Sequence, residues 1–428
     1  MNEMGATRRT QQHNDLDDAS YSTIFGRTAA TFHPAERILA NIAELAPTIA
    51  ARATQIEAEH CMPPDLIEAL RAIGVFRMFA PKSHDGLELD LPDALAVITA
   101  LAKIEGSVGW SAMIASAGGL VAPLFPRETY DQIYGDGPDV IVAGSIQPAG
   151  TAERVAGGWR VNGRWPFASG CLHADWMVGF CVLTEAGNPI SGRGDASMIR
   201  GFFMPAGDWQ IEDTWYAAGL KGTGSHHITL RNKVVPEANF LDFEDGETSL
   251  PGPLYQAVPQ LLPLLHGANA VGIAEGALDE LVAHANTGRQ QFKATAPMQQ
   301  SEVFQFELGR IAAELRAARA YHGMQVASHW QHAMAGMLKD EALHAQGTQA
   351  GIWIATTCVR IADACFTLAG GSAVYESSPL QRRMRDLHAA AQHAMVHQRH
   401  YVNAGKALLN PTAVVRTKAP RLTARRPD

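Results

Sequence analysis

Cysteine is scarce in this chain: Cys61, Cys171, Cys181, Cys358 and Cys365 are an odd five among 428 residues and form no CxxC pair. That excludes a disulfide scaffold and reads as reduced, mostly buried thiols in a cytoplasmic protein. An excess of basic charge is also missing. The net charge of −8 runs against a general nucleic-acid binder, whose footprint is positive. No apolar run reaches membrane-spanning length and the polar start has no signal-peptide core, so Arg8-Arg9 reads as a solvated pair and no membrane contact is expected. P-loop, GxSxG elbow and zinc spacing are all absent. Gly222-Thr-Gly224-Ser-His-His227 opens like a dinucleotide loop, yet it lacks the last glycine and runs into the strand-like Ile228-Thr-Leu230. His226 and His227 there are expected to face opposite sides of that strand.

What is present suits a large core, since 46% of the residues are apolar. The pattern changes period twice. Residues 1–33 are polar and aperiodic, an expected loose arm. Over 34–138 apolar residues recur at helical spacing, as in Ile38, Ile42, Leu45 and Ile49, and Asp90-Leu-Pro-Asp93 marks a helix start. Over 139–245 short β-like runs alternate with turns, among them Val140-Ile-Val142, Trp176-Met-Val178 and Ile228-Thr-Leu230. Over 246–410 the chain is helical again and rich in Ala, Leu, Gln and Arg, and 411–428 is a basic tail.

The densest motif is Trp159-Arg-Val-Asn-Gly-Arg-Trp-Pro-Phe-Ala-Ser169-Gly170. Gly157-Gly158 and Asn162-Gly163 are two hairpin signals, which predict a β-meander. Pro166 cannot donate to a ladder, and Ser169-Gly170 offers a small hydroxyl and bare backbone to something flat. This stretch resembles the flavin-binding hairpin of the acyl-CoA dehydrogenase superfamily. The likeness extends in order over about residues 35–410: Leu70-Arg-Ala-Ile-Gly74-Val-Phe with Pro81, Glu105-Gly-Ser-Val-Gly-Trp110, Trp215 through Ser225, and Gly371, Pro379, Arg385 and Asp386. His84-Asp85-Gly86 departs from the family's aromatic-Gly-Gly. The resemblance implies an α+β fold with an N-terminal helical domain, a central β-barrel-like domain and a C-terminal four-helix bundle.

A dehydrogenase of this family carries its catalytic glutamate close to Ala394, where this chain has none. The segment from Arg385 offers His388 and His393 instead. It is therefore similar to the two-component flavin monooxygenases, whose oxygenase takes reduced FMN or FAD from a separate flavin reductase and reacts it with O2 through a C4a-hydroperoxyflavin. That implies hydroxylation of a phenolic or polycyclic aromatic. The resemblance places Ser169 at the flavin N5, with Trp165, Phe167, Gly170, Thr223, Gly224 and Ser225 on the flavin-facing wall. For the serine a turn hydroxyl is the alternative, and for the two aromatics core packing.

His393 is the candidate acid/base, because an imidazole titrates near neutrality. A core histidine or a metal ligand are the alternatives. His393, His397 and His400 share one face of a regular helix, whereas His388 lies about 140° away and is the second candidate. On the substrate side stand Trp110, Ser145 and Gly118. Phenol-hydroxylating relatives carry a histidine after the Trp landmark, and Gly118-Gly119 here suggests space for a larger ring system. Three other readings stay open: an acyl-CoA dehydrogenase with a displaced base, an N-oxygenase of an amine or amino sugar, and a non-catalytic helical assembly protein. No metal is expected, and the Ala-rich C-terminal helices imply a homotetramer.

Overall fold

A computed structural model describes residues 33–192, 196–242 and 248–409; the N-terminal arm, apart from residue 33, and the basic tail lie outside them. Helix α1 (Pro34–Glu59) starts with proline in its first turn and a capping box between His33 and Glu36, and ends where His60 turns left-handed. Its buried face includes Ile38, Ile42 and Ile49, the residues whose spacing predicted it. Helices α2 (Pro64–Ala72), α3 (Leu91–Ile104), α4 (Gly106–Val121) and α5 (Arg127–Ile133) follow. Glu105 joins two of them: its extended backbone ends α3 and its carboxyl oxygen accepts from the Val108 N–H at 2.7 Å, capping α4.

The middle of the chain forms one mixed sheet from β1 (Val142–Gly144), β2 (Gly150–Val155), β3 (Gly158–Ala168), β4 (Trp176–Glu185), β5 (Asn188–Pro189), β6 (Ile199–Pro205), β7 (Gln210–Glu212), β8 (His226–Val235) and β9 (Phe240–Leu241). The order is β7-β8-β3-β2-β4-β6-β9, with β1 and β5 also beside β4. The meander read from two turn signals is a single hairpin. Ala156 and Gly157 turn β2 into β3, but β3 continues through Asn162-Gly163, with a register shift against β8 between Val161 and Gly163. A Cβ at Gly163 would stand 2.5 Å from the Trp165 ring, so this glycine makes room for a tryptophan and does not reverse the chain.

Helices α6 (Val258–Asn286), α7 (Glu302–Met334), α8 (Glu341–Ala369) and α9 (Pro379–Ala390) pack around a shared core that includes Ile273, Leu281, Ile311, Ile354, Ile361 and Leu387. The short α10 (Tyr401–Leu409) follows. Helix α3 almost touches α6: a Cβ at Gly272 would lie 2.4 Å from the Thr99 carbonyl oxygen. The reading that no run could span a membrane needs correction, because α4 with the turn after it, α6, and α8 with the turn after it are long and apolar enough by length and composition. Two of these windows are 78% and 83% buried in the fold, and the α8 window only 50%. Core helices imitate membrane spans because both are apolar on most sides.

Candidate active site

The site begins with a defect in the sheet. Strand β3 pairs with β8 at Trp165↔Ile228 and next at Ala168↔His226, so one extra residue bulges from β3. Pro166 has no N–H to give the ladder, and Phe167 takes a left-handed φ of 67°. The bulge turns Phe167 outward, 54% exposed, with its ring edge-on to Trp215 at 6.3 Å. Immediately after it the Ser169 N–H donates to the Phe167 carbonyl at 2.9 Å, and the Gly170 N–H to the Thr223 carbonyl at 2.8 Å. No atom lies within 4 Å of the place a Gly170 Cβ would occupy, so this backbone faces open space.

Around Ser169 the buried hydroxyls form a chain. Trp110 of α4 donates its indole N–H to Ser169 Oγ at 3.0 Å. Ser169 Oγ lies 2.7 Å from Ser225 Oγ, and Ser225 Oγ lies 2.7 Å from Thr223 Oγ1. Thr223 closes the chain by donating to the Leu220 carbonyl at 2.8 Å. Leu220 is itself left-handed, φ 50°, and its carbonyl also accepts from the Trp215 indole at 3.0 Å.

On the far side of Trp110 stand two imidazoles. The His393 ring lies 5.6 Å from Trp110, the His266 ring 5.1 Å from it, and the two imidazoles are 4.1 Å apart at a 31° tilt. Burial pulls His393 down to about 4, and burial together with the His393 charge pulls His266 well below the usual range. Both rings are therefore neutral at pH 7. The Met395 N–H donates to His393 Nδ1 at 3.3 Å, which leaves the proton of the neutral ring on Nε2. His266 Nδ1 is buried without a partner, as are both amide atoms of Asn269 one turn further along α6. No carboxylate hydrogen-bonds Trp110, Ser169, His266 or His393 among the described residues.

Helix α9 holds the hydroxyl chain in place. Asp386 accepts from the Leu220 N–H at 2.6 Å, and Arg385 donates to the Ala218 carbonyl at 2.6 Å. Arg382 and Arg385 both reach Glu57 of α1, at 2.9 and 2.7 Å. Burial works to raise Glu57, and the two guanidinium groups overcome it and hold it below the usual carboxylate range. The backbones meet directly, since a Cβ at Gly219 would fall 2.0 Å from the Arg385 carbonyl oxygen.

These contacts sort the residues singled out from the sequence. Ser169, Gly170, Thr223, Gly224, Ser225, Trp110 and His393 converge on one region, and Phe167 lies at its rim. Trp165 does not: it is fully buried beside Phe202 and Trp209 and donates to the Phe180 carbonyl, so it packs the sheet. His388 is exposed on the outer face of α9 and pairs with Asp363 at 2.8 Å, so it is no second acid/base here. Ser145 accepts from the Gln147 N–H at 3.3 Å as a turn hydroxyl. Gly118 gives no room to a substrate either, because a Cβ there would be 2.3 Å from Val142 Cγ2, and one at Gly119 2.8 Å from the Phe79 backbone. The expected histidine ladder is absent: α9 ends at Ala390, and His393 and His397 each cap a separate short turn. Among the described residues no group of three or more histidines, cysteines or carboxylates is placed to hold a metal ion. His266 escaped the sequence reading, although a lone histidine within the apolar Leu264-Leu-His266-Gly-Ala268 is the kind of buried polar group that marks a site.

The residues fit a flavin. A hydroxyl with one unused acceptor position, bare backbone at Gly170 facing open space and an exposed aromatic edge at Phe167 suit a flat, polar-edged ring. The family described as acyl-CoA dehydrogenase, N-terminal domain, matches residues 36–126, and the acyl-CoA dehydrogenase C-terminal domain matches residues 264–398. Indole-3-acetate monooxygenase from Pseudomonas putida is 31% identical over 366 residues, which are 83% of this chain and 89% of that one. The crystal structure of 3-HSA hydroxylase from Rhodococcus sp. RHA1 matches with a TM-score of 0.80 at 27% identity, covering 87% of this chain and 97% of that one. The structure of XiaF from Streptomyces sp., in complex with FADH2 and glycerol, matches at 0.81 and 25% identity, covering 91% and 98%. With both acyl-CoA dehydrogenase domains matched in order and a monooxygenase relative 31% identical over 83% of this chain, the protein belongs to the acyl-CoA dehydrogenase superfamily, in the branch of flavin-dependent monooxygenases.

Proposed function

We propose that this protein is the oxygenase component of a two-component system that hydroxylates an aromatic substrate, using O2 and reduced FMN or FAD delivered by a separate reductase. The observation that carries this reading is the join at Trp110: one edge of its indole holds the flavin-side Ser169 hydroxyl at 3.0 Å, and its ring stands 5.6 Å from the substrate-side His393. Bound reduced flavin supplies the electrons that activate oxygen. Ser169 and the Gly170 backbone would hold its polar edge, Phe167 and Trp215 its apolar surface. Trp110 and the neutral imidazoles keep water and mobile protons away from that chemistry.

His393 takes a different part from the neutral-pH base first expected. A ring pulled down to about 4 is a poor acceptor for a phenol proton, whereas its Nε2–H is a ready donor. It binds and orients a substrate oxygen, and His266, 4.1 Å away with its Nδ1 unpartnered, is a second neutral ring beside it. The indole-3-acetate monooxygenase relative acts, by its name, on an aromatic acid, and a flat aromatic of that class suits the indole and imidazole rings gathered beside Ser169. We also assign a homotetrameric, cytoplasmic state: four of the five unpaired thiols are buried, and half of the apolar α8 window is not fully buried within one chain. The test is direct. The isolated chain with reduced flavin, oxygen and a panel of phenols and indole acids should yield hydroxylated product, and with NADH alone it should do nothing. Rapid NADH oxidation by the isolated chain, or no oxygenated product from any of the panel, overturns the reading.

A further inference from the structure

The buried hydroxyl chain has a direction that can be counted. An indole N–H is only a donor and a carbonyl oxygen only an acceptor, so the chain has a donor at its Trp110 end and an acceptor at its Leu220 end. Between them three hydroxyls have three protons and three links to fill: Ser169 to Ser225, Ser225 to Thr223, and Thr223 to the Leu220 carbonyl. All links are filled only when every proton points towards Leu220. The Ser169 proton is then committed to Ser225, one lone pair is taken by Trp110, and what Ser169 offers to anything else is a single acceptor position. Reversing the chain frees the Ser169 proton but forfeits the Thr223 bond to Leu220.

We infer that Thr223 and Ser225 are positioning residues that set which redox form of the flavin this protein binds, by forcing Ser169 to act as an acceptor. Reduced flavin carries a proton on N5 and can donate to Ser169. Oxidised flavin has a lone pair there and needs a donor, which the chain withholds. Breaking the chain beyond Ser169 releases its proton and removes that penalty. In Ser225→Ala the Ser169 proton has no acceptor to hold it, and in Thr223→Val Ser225 is free to donate back to Ser169. Both variants leave Ser169 and its bond from Trp110 untouched. This rests on the flavin assignment above.

The experiment measures equilibrium binding of FMN and FAD in both redox states, anaerobically, to the full chain and its variants. The parent should bind the reduced form of one of them more tightly than the oxidised form. Ser225→Ala and Thr223→Val should each bind the oxidised form tighter than the parent does, narrowing the ratio of the two affinities about three- to tenfold, the worth of one hydrogen bond. Thr223→Ser, which keeps the hydroxyl, should restore the parental ratio. A variant that merely loosens the fold weakens both forms alike and leaves the ratio where it was, and that result in both variants overturns the inference while leaving the flavin assignment standing. If the parent binds neither redox form, the assignment and the inference fall together.

Discussion

A glycine in a helix facing the sheet can mean space for a ligand or contact between backbones, and Gly118 is the second kind. Its Cβ would stand 2.3 Å from Val142, so Gly118→Ala should destabilise the fold by about 1–3 kcal/mol through overpacking. Urea unfolding checks it, and a variant that is as stable as the parent while excluding large substrates would restore the pocket-lining role. His393 makes the next residue-scale prediction. Because burial holds it near 4, below the 6.5 of an exposed ring, the unfolded chain binds the proton more readily. The ring's neutral state therefore favours folding fully above about pH 6.5, and that contribution is lost as the pH falls towards 4. Proton NMR of its ring should show a midpoint below 5, and one near 6.5 would mean that the ring is solvated.

Glu105 shows the opposite sign at the joint between elements. Burial first, and the neighbouring Asp386 second, push it up to about 8, while its carboxyl caps α4 through Val108. The folded protein then holds a proton there that the unfolded chain releases above about pH 4.5, so stability is present below that value and declines up to about pH 8. Glu105→Gln cannot titrate and keeps a capping oxygen. Its stability relative to the parent should rise steadily between pH 5 and pH 8.5, and parallel curves in urea melts across that range would show that Glu105 is ionised throughout. A second joint lies between α9 and the segment before β8, where Gly219 touches the Arg385 carbonyl oxygen. Gly219→Ala must push α9 away from Leu220, which Asp386 holds by its N–H. We expect reduced-flavin affinity to fall at least tenfold in Gly219→Ala with helix α7, which packs on α6 and α8, intact by hydrogen exchange.

At the scale of the whole molecule, the C-terminal block carries a group of exposed apolar side chains. Val303, Phe306, Met324 and Met334 of α7 and Trp353 of α8 are exposed, and half of the α8 window is not fully buried. A single chain leaves that much apolar area in water at a cost of about 25 cal/mol per Å², and a symmetric assembly removes it. Light scattering at micromolar concentration should give four chains per particle. A monomer there would leave this surface to some other partner.

Periodicity and punctuation were enough to read the order of helices, strands and helices, because each depends on neighbours two to four residues away, as at Ile38 and Ile42 of α1. Short motifs also marked Ser169, Thr223, Ser225 and Trp110, whose types are set by the hydroxyl and indole chemistry they carry. What lay beyond the sequence was every question of where a chain bends or which face meets another element. The run from Arg385 to His400 looks like one helix with a histidine face, but the helix stops at Ala390 and the rings scatter. Trp165 and Phe167 are two residues apart in one motif, and only the bulge at Pro166 sends one into the core and the other to the rim. His266 comes from a helix more than a hundred residues before His393 and meets it at 4.1 Å. Burial then makes both imidazoles neutral, which composition could not foretell, because a pKa shift belongs to the surroundings that only the packed chain creates.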